Sequence, residues 1–344
     1  MRTLRLSPLP TDRGTYGYLG SLVAQGDRVL AVGGTHHLPT ILCSDDRGQT
    51  FAPWKTPEGI PGLRDVQVEG ETVWVVGEWG GVARTSDRGA TWKILRRYGA
   101  SATGQCLYSI MRGVDRRLWI TGDGGLVLRS RTAKPNVSSF DPVDNVSRDR
   151  LLYMFVDGIE TWLLDSGGML QRNRGRGFEE VPLKAMRNPR PLCALARTPK
   201  RTLLLLGDGG LILRSVNDGA SWKKISVDSR NNLEKLVVTR YGIIVVGARG
   251  SLLISHDDGQ SFQGLDTKVD AHLWSLLELD GELIIGGNSG KLWRIDRSDL
   301  AEVLRAAYAK RDPVLADLAA QLRDGNEGAA LVLEDALKER ELLL

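Results

Sequence analysis

The stretch from Val73 to Trp92 reads VWVVGEWGGVARTSDRGATW. An apolar run ends in glycine, a tight polar turn follows, a second apolar run ends in arginine, and a Ser/Thr-rich turn closes on an aromatic residue. Good copies begin at Leu118, Leu203 and Ile243, and weaker copies begin at Val29, Thr161 and Leu283. The turns open 40–45 residues apart, at Gly33, Gly77, Gly122, Asp165, Gly207, Gly247 and Gly287. A fixed period of this length with strand-like content indicates a repeat protein in which neighbouring repeats share their core.

Each repeat predicts four short strands, because its runs of Val, Ile, Leu, Trp and Thr are bounded by Gly, Asp or Asn. Seven four-stranded units closed in a ring predict an all-β fold, a seven-bladed β-propeller over residues 1–297. The seventh unit has only three strand-like runs, of which the last is Lys291–Ile295. We therefore predict that the unpaired N-terminal run Arg2–Leu6 pairs with Lys291–Ile295, completes the seventh blade and closes the ring.

Residues 298–344 predict a helical C-terminal appendage. Ser298 is a suitable N-cap, and Leu300 and Val303 begin an apolar stripe at helical spacing. Pro313 predicts the start of a second helix, and a third is predicted from Ala329 to Leu337. Two alternatives remain for the apolar stripes of this tail. They pack on the side of the propeller, or they bind a second subunit or a partner in a complex.

The net charge of +4 conceals an asymmetry, since the tail carries six basic and ten acidic residues and the rest of the chain has a balance of +8. This predicts either that the tail folds back on the body or that each part meets a different partner. The three cysteines are far apart and match neither a disulfide framework nor zinc-ligand spacing. The chain shows no secretory signal and no apolar run of membrane-spanning length, so we expect a cytoplasmic protein without a cofactor.

The Ser/Thr-rich turn is the most specific motif, S-x-D-x-G-x-[ST]-[WF]. Its four good copies, here called the box turns, place Asp46, Asp87, Asn217 and Asp257 at the third position. An Asp or Asn oxygen there is expected to accept backbone N–H bonds within its own turn, while glycine takes a positive φ. The motif resembles the Asp-box, or bacterial neuraminidase repeat. Together with the preceding G-x-x-G-x-[IVL]-x-R it is similar to the photosystem II assembly/stability-factor-like propeller family, over about residues 16–295.

The arginine before the box recurs at Arg84, Arg129, Arg172, Arg214 and Arg294. Because a catalytic site needs one asymmetric set of residues, we interpret these arginines, like the box carboxylates, as structural. In a four-stranded blade the box turns lie at the same end as the turns between the first and second strands. The opposite end, here called the long-loop end, carries the turns between the second and third strands and the connections between blades.

We predict that the long-loop end binds a protein partner. The residues expected to bind it are Trp79, Arg96, Arg97, Arg187, Arg190, Arg230 and Arg249, with the insertion Thr132–Asp149 on the same face. Arginine with exposed aromatic residues is typical of recognition hot spots, and a basic rim favours an acidic peptide or surface. The sequence thus predicts a non-enzymatic recognition scaffold or assembly factor that uses this face together with the helical tail.

A glycan-binding or glycoside-hydrolysing propeller is the alternative. The F/Y-R-I-P segment expected of a sialidase is missing from the sequence, and GDGGL precedes a strand rather than the helix of a phosphate-binding loop. Lysine and arginine are scattered without an aromatic stacking platform, which argues against nucleic acid. Glu78, Asp123 and Asp208 are interpreted as ordinary turn carboxylates. Carboxylates clustered around a pocket would favour the glycan alternative.

Overall fold

The computed structural model describes residues 2–3, 6–10, 16–35, 37–95, 105–135, 139–308, 313–323, 326, 328–329, 332–333 and 336. The chain forms seven sheets, and in each of them consecutive antiparallel strands lie side by side. The first strands of neighbouring blades contact each other, and the first strand of the seventh blade contacts that of the first. The fold is therefore the predicted seven-bladed β-propeller.

The first, innermost strands of the seven blades are Leu19–Gln25, Leu63–Glu69, Leu107–Arg112, Leu151–Asp157, Leu192–Arg197, Leu233–Thr239 and Leu273–Leu279. The second strands are Arg28–Gly33, Thr72–Gly77, Leu118–Gly122, Glu160–Asp165, Leu203–Gly207, Gly242–Gly247 and Glu282–Gly287. The third strands are Thr40–Ser44, Val82–Thr85, Val127–Ser130, Leu170–Asn173, Leu211–Ser215, Leu252–Ser255 and Leu292–Ile295. The fourth strands of blades 1 to 6 are Ala52–Pro53, Lys93–Leu95, Phe140–Pro142, Phe178–Val181, Lys223–Ile225 and Gln263–Asp266.

The core lies between adjacent blades. In the second strand of blade 2, all four residues of Val73–Val76 are almost fully buried. Val75 and Ala83 of blade 2 share one cluster with Leu30 and Ile41 of blade 1. Second strands are apolar without alternation because a neighbouring blade covers each face of the sheet, as in other sheets that are buried on both sides.

The N-terminal segment completes the seventh blade as predicted, but the prediction that Arg2–Leu6 pairs with Lys291–Ile295 was wrong. The fourth strand of blade 7 is Ser7–Pro8, which pairs antiparallel with Trp293 and Arg294. The strand Arg2–Thr3 pairs instead with Leu265 and Asp266, parallel, as a fifth strand of blade 6. Pro8 is compatible with this strand, because an edge strand tolerates the missing N–H of a proline.

The recurrent arginines stack on tryptophans of the neighbouring strand. Arg129 lies 4.9 Å from the ring centroid of Trp119, and Arg172 lies 5.1 Å from that of Trp162. In both cases the arginine on the third strand is directly opposite the tryptophan on the second. Arg214 instead binds Asp258 of the next blade, at 2.7 Å to Oδ2. These side chains join strands and blades, which fits the structural role expected of them.

After the propeller the structure describes two helices, α1 (Arg297–Tyr308) and α2 (Pro313–Arg323). Leu300, Val303 and Leu315 are buried in one cluster with Tyr241 and other residues of blades 6 and 7. Of the predicted third helix, the structure describes Ala329, Leu333 and Ala336, which belong to the same cluster. The described part of the tail therefore packs on its own propeller, the first of the two alternatives. No helix among the described residues is long and apolar enough to cross a membrane.

Candidate functional site

A bulge at the start of every innermost strand turns side chains toward the ring axis. Each strand begins with a fully buried leucine: Leu19, Leu63, Leu107, Leu151, Leu192, Leu233 and Leu273. In all seven strands the pairing register shifts directly after this leucine. Because a bulge inserts one extra residue and re-aims its neighbours, successive residues such as Arg64 and Asp65 line one cavity.

This cavity, here called the channel pocket, has a volume of about 500 Å³. Its main lining residues are Tyr18, Ser21, Arg64, Asp65, Tyr108, Ser109, Tyr153, Cys193, Asp208, Glu234, Lys235, His272 and Trp274. A cavity that touches the innermost strands of all seven blades lies on the axis of the ring. Asp208 and other turn residues in the lining place it at the long-loop end.

On the side of blades 1 and 2, an arginine is held between an acid and a phenol. Arg64 Nη2 donates to Glu78 Oε1 at 2.8 Å, and its Nη1 donates to the Tyr18 hydroxyl. The guanidinium carbon also lies 5.5 Å from the Tyr18 ring centroid. Burial, only partly offset by Arg64, raises the pKa of Tyr18, so the phenol stays protonated. Glu78, interpreted from the sequence as a turn carboxylate, is thus the partner that fixes Arg64.

Asp65 ties three blades together beneath the pocket. It accepts hydrogen bonds from Ser21 Oγ of blade 1 at 2.6 Å and from Ser109 Oγ of blade 3 at 3.1 Å. The backbone N–H of Ile110 donates to the same carboxylate at 2.8 Å. With its lone pairs used in this way, Asp65 is a structural carboxylate rather than a catalytic one.

The wall formed by blades 3 and 4 is phenolic. The Tyr108 hydroxyl donates to Asp123 Oδ1 at 2.9 Å, and burial together with Cys106 and Asp123 raises the pKa of Tyr108. Lys235 Nζ lies 4.5 Å from the ring centroid of Tyr153. Burial disfavours the charged form of Lys235, but Tyr153 and Asp65 outweigh burial, so the pKa of the lysine is raised and it is a cation.

The remaining wall combines aromatic rings with acids. The rings of His272 and Trp274 stack at 3.6 Å between centroids, and Trp274 meets Tyr18 at 5.2 Å. Glu234 Oε1 lies 2.8 Å from His272 Nε2, and the Cys193 thiol lies 3.7 Å from Asp208 Oδ1. Burial, Glu234 and Asp208 raise the pKa of Cys193 well above its usual value, so the thiol is not an activated nucleophile.

No group of three or more described His, Cys, Asp or Glu side chains is placed to hold a metal ion.

The residues predicted to bind a partner do not form one cluster. Trp79 and Arg249 occupy the middle of equivalent tight turns in blades 2 and 6. Arg187 and Arg190 line a groove beside blade 5, and Arg249 lines another between blades 5 and 6. Arg187, Arg230 and Arg249 are exposed, whereas Arg190 is half-buried and donates to the Asp208 carbonyl at 3.2 Å. Arg96 and Arg97 lie outside the described residues.

The predicted insertion Thr132–Asp149 is divided between the two ends of the ring. Phe140–Pro142 within it is the fourth strand of blade 3. Residues 143–149 therefore lead to the long-loop end, but residues 132–135 and Ser139 follow the third strand and precede the fourth, at the box-turn end. The prediction for the whole insertion was wrong because this copy of the repeat has no recognisable box to mark where its fourth strand begins.

The box turns are held by their own side chains. Asp46 Oδ1 accepts the N–H of Thr50 at 2.9 Å, and Ser44 Oγ accepts the N–H of Gly48 at 2.7 Å. The turn of Asp87 repeats this pattern, and hydrogen bonds from Thr91 and Thr85 lower the pKa of Asp87 to about 2. A Cβ on Gly48, whose φ is 81°, would come within 2.3 Å of Ile284 in blade 7. The aspartates are thus ionised, engaged, and at the end opposite the channel pocket.

Replacing a box aspartate tests this structural role. Asp257 accepts the N–H of Ser261 at 2.9 Å and the hydroxyl of Ser255 at 2.8 Å. Asp257→Ala is expected to lower the free energy of unfolding by about 1–2 kcal/mol, because bonds within the turn are lost. Denaturant unfolding monitored by circular dichroism measures the change. Asp228→Ala, at an exposed loop position, is the control, and an equal effect of both substitutions would contradict the role.

Sequence reasoning missed the channel pocket, although a signal was present. Tyr18, His272 and Trp274 lie just before or just after the repeated leucine, where the repeat loses its regularity. The residues directly after the leucines are Gly20, Arg64, Tyr108, Leu152, Cys193, Glu234 and Trp274. Positions that vary within an otherwise regular repeat, next to its most constant residue, are candidates for a function that the repeat itself does not explain.

The sequence matches no protein-family model and no curated protein sequence. Among solved structures, YCF48 bound to a D1 peptide has a TM-score of 0.66 and 19% identity, over 86% of this chain and 97% of that chain. The chain shares its fold with β-propellers. Virginiamycin B lyase from Staphylococcus aureus, in a catalytically inactive form with quinupristin, has a TM-score of 0.67 and 13% identity, over 85% of this chain and 98% of that chain. The WD40 propeller domain of Doa1 has a TM-score of 0.65 and 13% identity, over 86% and 98%. At these identities the likeness concerns the fold alone.

Proposed function

We propose that this protein is a non-enzymatic recognition propeller that binds a segment of a partner protein at the channel pocket and the surrounding long-loop end. The observation that carries the proposal is the break in the repeat at the bulges, where aromatic and charged side chains of all seven blades converge on one cavity. The repeated residues are explained by their role in holding the fold together. That role does not explain why Tyr18, Trp274 and His272 meet in this cavity.

The dimensions and lining of the pocket suit a short peptide segment. Its volume of about 500 Å³ lies within the range of ~300–1,000 Å³ that is usual for ligand sites. Tyr and Trp supply large contact areas with few rotatable bonds, and the fixed polar groups Arg64 and Glu234 would orient the main chain of a segment. The solved structure of YCF48 holds a D1 peptide, so a propeller of this kind accommodates a peptide.

The rim around the pocket supports a partner whose segment carries acidic flanks. Arg187, Arg230 and Arg249 are exposed on turns and connections of the long-loop end. Trp79 and Arg249 hold φ values of 58° and 54°, a left-handed conformation that favours glycine. Ser289 holds the same conformation in the equivalent turn of blade 7, so this conformation belongs to the turn. The helical tail is not part of this proposed site, because most of its described apolar residues, such as Leu300, Val303 and Leu315, are buried against the propeller.

Partner binding by a variant of the pocket tests the proposal. The partner is first recovered with tagged full-length protein, and overlapping peptides of it are then titrated to find the bound segment. Trp274→Ala is expected to weaken binding of that segment at least tenfold, since it removes the centre of the aromatic wall. Trp92→Ala, in a box turn at the opposite end, is the matched control and should change the affinity less than twofold. If Trp274→Ala binds the segment as the wild type does, the pocket is not the recognition site.

A glycoside hydrolase is the second candidate function, and one observation favours it. Burial and the neighbouring Glu234 raise the pKa of Asp208, and a pair of carboxylates with one raised pKa is the arrangement of a general acid beside its partner. Against it, Glu234 is engaged by His272. A panel of fluorogenic glycosides tests this candidate, and turnover that is abolished by Asp208→Asn would replace the proposal above.

A further inference from the structure

Two carboxylates on one side of the channel pocket have an oxygen left to bind a ligand. Glu234 uses Oε1 for His272 Nε2 at 2.8 Å, and Asp208 has the Cys193 thiol near Oδ1 at 3.7 Å. In the part of the chain that the structure describes, no side chain or backbone N–H donates to Glu234 Oε2 or Asp208 Oδ2. Both residues line the cavity, and Asn232 lies in the same wall.

The arginines and the lysine that line the pocket lie against groups other than Asp208 and Glu234. Arg150 lies beside Tyr108. Arg64 is paired with Glu78 and bound to the Tyr18 hydroxyl. Lys235 lies on the face of Tyr153, and its charge is stabilised by Asp65. Arg190, the nearest rim arginine, directs Nη1 to the carbonyl oxygen of Asp208 rather than to its carboxylate. On the side of the pocket formed by blades 5 and 6, the charge that these cations do not match is therefore negative, on Asp208 and Glu234.

The pKa values of titratable groups on blades 5 and 6 show that, in addition to burial, the carboxylates act on their neighbours. Burial and Glu234 raise the pKa of Asp208. Burial, Glu234 and Asp208 raise the pKa of Cys193. Lys235, which burial alone would neutralise, has a raised pKa because of Tyr153 and Asp65. Asp208 and Glu234 therefore act on each other as two like charges held close together, and a positive group placed between them relieves this repulsion.

The aromatic wall fixes the position of this negative charge. His272 stacks on Trp274 with an angle of 3° between the rings, and the Trp274 indole N–H donates to Asn288 Oδ1 at 2.6 Å. His272 thus lies on one face of Trp274, and the Tyr18 ring, tilted by 53°, lies beside the same indole. The stack on Trp274 fixes the position of the His272 imidazole, and the contact between His272 Nε2 and Glu234 Oε1 fixes the carboxylate. A preformed carboxylate beside an apolar wall binds a cation more strongly than one that is free in water.

We propose that the channel pocket takes a cationic side chain, a lysine or an arginine of the partner segment, which binds between Asp208 and Glu234. The inference rests on the proposed function and adds the residue that the pocket selects. A segment with a basic residue for the pocket and acidic flanks for the rim would satisfy both parts of the long-loop end. Specificity then comes from the two carboxylates, because a neutral side chain leaves them desolvated and without a counter-charge.

Blocked tripeptides test this inference without knowledge of the partner. The probes are acetyl-Gly-X-Gly-amides in which X is lysine, arginine, norleucine or glutamate. Binding to the full chain is followed by the indole ¹H–¹⁵N resonance of Trp274, assigned by its loss in Trp274→Phe. The lysine or the arginine probe is expected to shift this resonance with a dissociation constant at least tenfold lower than that of norleucine, and glutamate should give no shift. Higher salt should weaken the binding.

Paired variants identify the carboxylates. The double variant Asp208→Asn with Glu234→Gln should weaken binding of the better cationic probe at least tenfold. The matched control, Asp228→Asn with Asp270→Asn, removes two acids of the same end that do not line the pocket, and should change the affinity less than twofold. Equal binding of norleucine, tighter binding of glutamate, or an unaffected double variant would each overturn the inference.

Failure of this inference is distinguishable from failure of the proposed function. A partner segment that the double variant retains and Trp274→Ala loses would mean that the pocket recognises the segment without a cation. A segment that both variants retain would overturn the proposed function itself. Loss in the double variant, with no further loss when the basic residue of the segment is exchanged for norleucine, supports the inference.

Discussion

Removal of residues 1–9 is expected to lower the free energy of unfolding by several kcal/mol. This loss exceeds the ~1.5–3 kcal/mol that the burial of a single leucine side chain contributes. Leu6 is buried in the cluster shared by blades 6 and 7 and the helical tail. Ser7 and Pro8 pair with the third strand of blade 7, and the Leu9 N–H donates to the Leu292 carbonyl at 2.9 Å. Without the segment, the last blade has three strands and an open edge.

Thermal and denaturant unfolding of the truncated protein measure this loss, with light scattering to detect association through the open edge. Removal of residues 1–3 alone is the control, because it takes away only the fifth strand of blade 6 and leaves Leu6 and Ser7–Pro8 in place. Leu6→Ala should account for about 2–5 kcal/mol by itself, as other buried leucines do. If the protein without residues 1–9 melts at the wild-type temperature, the segment does not close the ring.

Arg197→Ala is expected to destabilise the protein by about 2–4 kcal/mol, because it leaves three carboxylates without their shared cation. The Arg197 side chain is only 8% exposed. It pairs with Asp157 and Glu160 of blade 4 and with Asp218 of its own blade. Its hydrogen bond is also the main cause that lowers the pKa of Asp218. The loss stays below the ~3–5 kcal/mol of a fully buried pair, since Arg174 and Arg201 still face two of the acids.

Arg131→Ala is the matched control for this prediction. Arg131 binds Asp141 through two nitrogens, but its side chain is 61% exposed and the pair lies on the surface. Its removal should lower the free energy of unfolding by less than about 1 kcal/mol. Solvent screens the attraction of an exposed pair, and the entropy lost in holding the two side chains together offsets part of what remains. Urea unfolding of both variants against the wild type decides the matter. Similar small losses would show that Arg197 does not join blades 4 and 5.

The sequence by itself determined the number of blades, the strand order and the box turns. These features depend on residues close in the chain: a turn such as Ser44–Phe51 is held by bonds that span two to four residues. The period of the repeat then fixes the architecture, because a four-stranded unit with two apolar faces is stable only between two neighbours. For the same reason the sequence also predicted that the two ends of the chain meet in the seventh blade.

Only the tertiary structure decided which N-terminal residues close the ring, where the tail lies, and which side chains meet at the axis. Ser7–Pro8 has little strand propensity and becomes a strand because Trp293 and Arg294 offer an unpaired edge. From the sequence, packing of the tail's apolar stripe on the propeller and binding of the stripe to a partner are equally compatible. The surface that blades 6 and 7 offer in the folded ring decides between them. Glu234 and His272 are 38 residues apart in the chain and 2.8 Å apart in the fold. The repeat pattern reports what each blade shares with the others, whereas the channel pocket is built from what each blade does not share, and closure of the ring is what brings those residues together.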